Sequence, residues 1–187
     1  ALLQDGFPGT YTHCQKWSDS GSPPPPRLEH TMDDIVKQAM AKWPNVPDCY
    51  GWLGLDARGN WYMRDERAQG YGGFGSGQPG AKGAELKHDK LRAFIERNYG
   101  CDERGCWYFQ NGPQRVYVEL AQTPWIWRLH PDGKIHSHTG REVVPSTVLL
   151  DEHGHLYLHT SEGLGIVHAQ DMWNASEYLE KERWIAL

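Results

Sequence analysis

No stretch of this chain approaches the roughly 18 consecutive apolar residues of a spanning helix. Its start, Ala1 to Asp5, has neither the basic nor the apolar block of a secretion signal, so a soluble, cytoplasmic chain is the expectation. Cysteine is scarce. Cys14, Cys49, Cys101 and Cys106, scattered through 187 residues, are too few for a disulfide framework, so reduced thiols are the expectation. Positive charge is not in excess: 19 Lys and Arg against 24 Asp and Glu leave a net charge of −5. That balance lacks the basic bias of a chain that lives on phosphate backbones, and nucleic acid is kept only as a weak alternative through one basic helix face. No Ser sits in a Gly-x-Ser-x-Gly elbow. The Gly-rich run 75–83 lacks the contiguous Gly-Lys-Ser/Thr of a phosphate-binding loop, because Ala81 intervenes and no hydroxyl follows Lys82. Cys101-Asp-Glu-Arg-Gly-Cys106 is spaced too widely for a zinc knuckle or a redox pair and reads as a turn between two buried thiols.

What is present is strand signal. From Gly105 to Leu129 three strands follow one another, with Val116, Val118 and Leu120 alternating against Arg115, Tyr117 and Glu119, and with Asn111-Gly-Pro113 and Thr123-Pro124 as punctuation. The run Asp56-Ala-Arg-Gly59 between two aromatic strands reads as a hairpin connection in which Asp bonds its own backbone and Gly takes the left-handed position. The stretches Leu129 to Ile135 and Leu150 to Leu156 repeat the device at irregular spacing. Three helices are expected: one opened by a capping box at Thr31, with Met32, Ile35, Val36, Ala39, Met40 and Trp43 on its packing face; one from Ala84 to Tyr99, ended by Gly100; and one from Asp171 to Glu180, with Met172, Ala175, Ser176 and Leu179 facing in. Gly70 to Gly83 reads as a mobile loop. These elements make an α+β chain of antiparallel sheets built from β-hairpins in two small lobes with about three covering helices. A linker-like, Pro-rich segment spans 1–28, a first lobe 29–129 and a smaller hairpin-plus-helix lobe 130–187, and the two lobes can share one core.

Two constellations carry chemistry. The Gly70 to Gly83 loop, with Lys82, lies in sequence before a face carrying Arg115, Tyr117, Trp125, Trp127 and Arg128. Aromatic walls with a few cations suit an apolar anion or a peptide acid group. Seven of the ten histidines lie beyond Leu129. His136 and His138, alternate on a strand, can share a face with Glu142 as a third ligand, and the His155/His159 pair is a second possible metal site. The His136, His138, Glu142 spacing is similar to the first cupin motif, although the rest of that motif is missing.

The order of elements from Tyr50 to Leu129 adds a family likeness. Strand, Asp-x-x-Gly turn, Trp-Tyr strand, Gly-rich loop, helix, Gly105-Cys-Trp-Tyr-Phe109 hairpin, Arg115-Val-Tyr-Val-Glu119 and Thr123-Pro-Trp125 resemble uncharacterised proteobacterial domains of unknown function. The resemblance implies an α+β protein of repeated hairpin-and-helix motifs with a role in ligand sensing or signalling. It carries over no catalytic residue. The leading reading is therefore a non-catalytic binder of a small molecule or protein partner away from the membrane, with no cofactor specified. A metal-dependent enzyme or metal-binding protein is the alternative.

Overall fold

The computed structural model of the chain describes residues 32–180; the Pro-rich segment 1–28 and the capping residue Thr31 lie outside the described residues. Among the described residues twelve strands form two six-stranded sheets, with four helices around them. The first sheet contains β1 (Cys49–Leu55), β2 (Trp61–Met63), β3 (Ala84–Glu85), β4 (Tyr99–Cys101), β5 (Trp107–Asn111) and β6 (Gln114–Leu120). The second contains β7 (Trp125–Leu129), β8 (Ile135–Ser137), β9 (Glu142–Val143), β10 (Pro145–Leu150), β11 (Leu156–Thr160) and β12 (Gly163–Val167). The helices are α1 (Asp34–Lys42), α2 (Glu66–Gly70), α3 (Asp89–Arg97) and α4 (Met172–Glu180), the last preceded by a 3-10 turn at Ala169–Asp171.

The two sheets have the same topology. Their strand orders are β3-β2-β1-β6-β5-β4 and β9-β8-β7-β12-β11-β10, so each is a three-stranded meander followed by a second whose last strand returns beside the first. That return is parallel in both, pairing Leu53 with Val118 and Ile166 with Trp125's neighbour Ile126. The sheets are thus mixed, where hairpins alone predict antiparallel pairing. A parallel pair needs a long crossover, and the second meander supplies it.

One turn recurs because one residue pattern enforces it. Oδ1 of Asp56 accepts from the backbone N–H of Arg58 and of Asn60, each at 2.9 Å. Asp102 does the same for Arg104 and Cys106, and Asp151 for His153 and His155. In each turn the glycine three residues on donates to the Asp carbonyl at 3.1 Å. Those glycines, Gly59, Gly105 and Gly154, hold φ between +80° and +82°, which only glycine adopts cheaply. The His130–Lys134 and Ser137–Arg141 turns close with the same backbone bonds, so the device joins strands in both sheets.

The sheets share one cluster of buried side chains. At its centre Tyr99, on β4, meets Trp61 at 5.2 Å between ring centroids, Trp107 at 4.9 Å, Trp125 at 5.7 Å and His138 at 6.0 Å. The Tyr99 hydroxyl donates to the Pro124 carbonyl at 3.0 Å. Edge-to-face and offset pairs of this kind add about 0.5–1.5 kcal/mol each beyond the area they bury.

The structure corrects several expectations. The expected helix from Ala84 to Tyr99 is three elements. Ala84 and Glu85 pair with Met63 and Tyr62, the helix starts after His88, whose Nδ1 caps the Leu91 N–H, and Tyr99 and Gly100 are strand. Tyr99 is apolar in both periodicities, and the core decides between them. Helix α1 starts at Asp34 with no side-chain cap bond. It buries only Val36 among its residues and leaves Ile35 and Trp43 exposed, while Asp33 at its start is held by Arg97 and Asn98. Helix α4 buries Ala175 and packs Met172 on the core, but Ser176 and Leu179 face outward. Cys49 and Cys101 carry free thiols, and Cys14 lies outside the described residues. Strand β7, which starts at Trp125, is a central strand of the second sheet.

His138 yields a testable consequence. Its ring lies between Trp61, Tyr99 and Trp125, its Nε2 is buried without a hydrogen-bond partner, and burial, with the nearby Arg141 charge second, pulls its pKa down to about 3. The unfolded chain protonates this ring near pH 6.5 while the folded protein keeps it neutral. Its contribution is therefore complete above about pH 6.5 and falls by up to about 1.4 kcal/mol per pH unit as the pH drops toward 3. Burial lowers His168 in the same direction. Replacing His138 by Phe should flatten the fall in urea midpoint between pH 7 and pH 5, leaving a residual slope from His168; an unchanged slope would refute this account.

Candidate functional site

The six residues expected to line a site fall in three places. Lys82 sits in the Gly-rich loop with its Nζ over the rings of Tyr62 and Phe74, 5.4 and 5.6 Å from their centroids. Arg115 and Tyr117 lie on β6. The Arg115 guanidinium is 4.8 Å from the Tyr108 centroid, and Tyr117 stacks on Tyr50 at 4.6 Å while donating its hydroxyl to Asp102. Trp125 and Trp127 are core residues, 2% and 0% exposed, whose indole N–H groups donate to the Glu162 and Leu158 carbonyls. Arg128 is paired with Asp171 at 2.6 and 3.1 Å. The dense run of tryptophan that suggests a groove wall is what a buried central strand looks like when both its faces are covered.

The histidines separate as well. His138 lies past the end of β8, where the Ser137–Arg141 turn swings its ring into the core. His136 stays on β8, half-buried, 3.7 Å from Glu142 and 5.0 Å from the His130 ring. His155 donates its Nδ1–H to the Asp151 carboxylate at 2.8 Å as part of its turn, and His159 lies beside Ser146. Among the described residues no three His, Cys, Asp or Glu side chains come together in a way that holds a metal ion.

The structure instead builds a groove beside the Gly-rich loop. The connection between β8 and β9 is residues 138–141 alone, whereas the equivalent connection between β2 and β3 is residues 64–83. This insertion is not the featureless loop that its glycines suggest. It contains α2, capped by Asp65 at the Ala68 N–H, and it buries Phe74 and Ala81. Phe74 lies flat on Gly54, where a Cβ would come within 2.5 Å of its ring.

Arg64 holds the insertion together. Its side chain is 2% exposed. Its Nε donates to the Ala81 carbonyl at 2.8 Å, its Nη2 donates to the carbonyls of Ala68 and Gly72, and its Nη1 donates to the carboxylate of Glu119 on β6. One buried cation thus ties both limbs of the loop to the sheet. Arginine suits the position because its fixed fork reaches several acceptors at once.

The resulting groove has a volume of about 600 Å³ and is lined by Trp52, Met63, Arg64, Arg67, Tyr71 and Gly80, with Asp65, Ala68, Pro79, Gly83 and Ala84 completing its wall. Trp52, Met63 and Tyr71 are 40%, 47% and 46% exposed. Arg67 donates its Nε to the Tyr71 hydroxyl at 3.0 Å, leaving its two terminal nitrogens without a hydrogen-bond partner among the described residues. Little in the sequence marks this site: Trp52 is one of nine tryptophans, and nothing beside Arg64 shows that it is buried.

A smaller cleft of about 380 Å³ lies between α3 and the Ser137–Arg141 turn. Its charged groups are already engaged. Arg97 pairs with Asp33, Arg141 with Glu162, and Glu96, whose carboxyl burial pushes up, accepts from the Trp61 indole.

No described helix is long and apolar enough to cross a membrane. No curated protein matches the chain. Two solved structures are similar to it. A DUF1285 family protein from Silicibacter pomeroyi DSS-3 has 11% identity and a TM-score of 0.48, covering 92% of this chain and 85% of that one. A DUF1285 family protein from Shewanella baltica OS155 has 14% identity and a TM-score of 0.44, covering 67% of this chain and 91% of that one. Likeness at this level transfers neither residues nor activity. The family model of DUF2944, described as a protein of unknown function (DUF2946), matches residues 32–185, and the chain belongs to that family.

Proposed function

We propose that this protein is a non-catalytic receptor for a small ligand, held in the groove between the 64–83 insertion and the first sheet. The observation that carries this reading is the asymmetry between two sheets of one topology. A four-membered turn suffices between β8 and β9, yet the matching link in the first sheet is a structured insertion with its own buried anchor, and it leaves three large apolar side chains half open to water. Long structured connections inside a compact domain are where binding is concentrated.

The groove suits a planar apolar body with an acidic group. Trp52 and Tyr71 offer faces for a ring. Arg64 is consumed by Glu119 and the loop carbonyls, and Asp65 is turned to the start of α2, where it caps the Ala68 N–H, so Arg67, with its terminal nitrogens open in the groove, is the cation that meets an acidic group. Of the residues expected from sequence to bind ligand, Lys82 precedes the lining residue Gly83 in the chain, with its ammonium over the Tyr62 and Phe74 rings. Arg115, half-buried on β6 beside the buried Tyr117, is a separate candidate.

A thermal-shift panel of aromatic carboxylates and their amides, followed by calorimetry, tests the proposal. An aromatic acid should stabilise the protein. Trp52→Ala and Tyr71→Ala should each weaken it on the order of tenfold or more without lowering the unliganded melting temperature, and Arg67→Gln should weaken the acid but not its amide. Binding that ignores Trp52 and Tyr71, or a panel with no binder, counts against this groove.

The anchor makes a second prediction. Arg64→Met leaves Glu119 partly buried without its cation and should cost about 3–5 kcal/mol in urea unfolding, with faster proteolytic nicking within 70–83. Adding Glu119→Gln should recover much of the stability but not the resistance to nicking. Equal nicking in wild type and variant would show that Arg64 does not hold the loop.

A further inference from the structure

Each six-stranded sheet ends in two edges, and among the described residues these are β3, β4, β9 and β10. An edge presents unpaired backbone N–H and C=O groups, and proteins guard edges by keeping them short or by placing charge on them. Three of the four are short: Ala84–Glu85, Tyr99–Cys101 and Glu142–Val143. The fourth, β10, runs Pro145-Ser-Thr-Val-Leu-Leu150 and carries no charged residue. Its start is guarded, since Pro145 has no N–H to offer and the register breaks between Pro145 and Thr147. From Thr147 to Leu150 the register against β11 is continuous, and among the described residues no strand pairs with its outer side. Leu149 and Leu150 are 48% and 69% exposed.

We infer that β10 pairs antiparallel with β10 of a second copy of this chain, joining two second sheets across a twofold axis. A copy fits better than a foreign strand because the segment is complementary to itself. Directly opposed residues of an antiparallel pair share a face, so a twofold must centre on a residue. Centring on Val148 sets Leu149 against Thr147 and Leu150 against Ser146, mixing apolar with polar. Centring on Leu149 sets Leu149 against Leu149 and each Leu150 against the other copy's Val148, which already packs on the core. Every opposed pair from 148 to 150 is then apolar, and no like charges meet. A strand pair this short buries well under the roughly 1,200 Å² of a standard interface, so the dimer is weak and depends on concentration.

Sedimentation velocity on the full chain over a rising concentration series tests this, with site-directed crosslinking to fix the register. The weight-average mass should climb toward that of a dimer, and Leu149→Lys should hold the protein monomeric at an unchanged melting temperature. Under mild oxidation Leu149→Cys should crosslink between chains faster than Leu150→Cys, with wild type as the background for Cys49 and Cys101. Opposed Cβ atoms lie about 4.5–5.5 Å apart and diagonal ones about 7–8 Å, whereas exposure alone favours position 150. A chain monomeric at every concentration, a dimer that survives Leu149→Lys, or equal or faster crosslinking at 150 would overturn the proposal. So would a monomer whose β10 edge instead captures an extended apolar peptide.

Discussion

The fold depends on one joint. Tyr99 sits where the two sheets meet, with Trp61 and Trp107 from its own sheet on one side and Trp125 and His138 from the second on the other. A ring of this size can be shared by two sheets only if its hydroxyl is satisfied, and the Pro124 carbonyl, in the short link between them, accepts its proton. The same hydrogen bond ties the crossing point of the chain to the packing around it. His138 is the weak member of the cluster. Its ring fills the space as an aromatic would, but it carries a buried nitrogen with no partner, so the joint is sound only while the imidazole is neutral.

Around the joint the chain uses one plan twice, and the differences are more informative than the likeness. Both sheets have the same strand order, the same parallel return and the same Asp-and-Gly turns. They differ in the links between their strands. The first sheet carries the 64–83 insertion and, between β3 and β4, the helix α3, where the second has only short connections. The groove arises from the larger of these additions. It is kept open by local chemistry: Phe74 is seated on a residue without a side chain, and Arg64 is buried with enough carbonyls and one carboxylate to occupy its donors. The apolar residues left at the mouth, Trp52, Met63 and Tyr71, are not needed by either feature.

Local features were legible in the sequence because local bonds make them. The Asp56 and Asp151 turns, the Asn111-Gly-Pro113 turn, the three successive strands after Gly105 and the α+β class follow from residues that contact their near neighbours, and those interactions are the same in any fold. The helix expected from Ala84 to Tyr99 failed at its ends for the complementary reason. Leu91, Phe94, Ile95 and Tyr99 satisfy a helical stripe, but Tyr99 gains more from the centre of the core than from another turn of helix. A long-range contact outweighed a local pattern.

Site residues were hardest to read, again for a physical reason. Cation and tryptophan together suggested a binding face, yet composition does not say which side of a strand faces the partner sheet. Trp125 and Trp127 proved to be core, His136 and His138 parted at the end of β8, and Arg64, an ordinary surface residue by type, became the anchor of the groove. The chain's own residues determine its turns, most of its strands and its membership in an α+β class, because those rest on contacts a few residues long. Which strands lie side by side, which aromatic rings are buried and where a groove opens were settled by packing between residues far apart in the chain, 55 positions for Arg64 and Glu119 and 67 for Cys49 and Val116; such pairs share no local signal, and only the energy of the assembled core selects them.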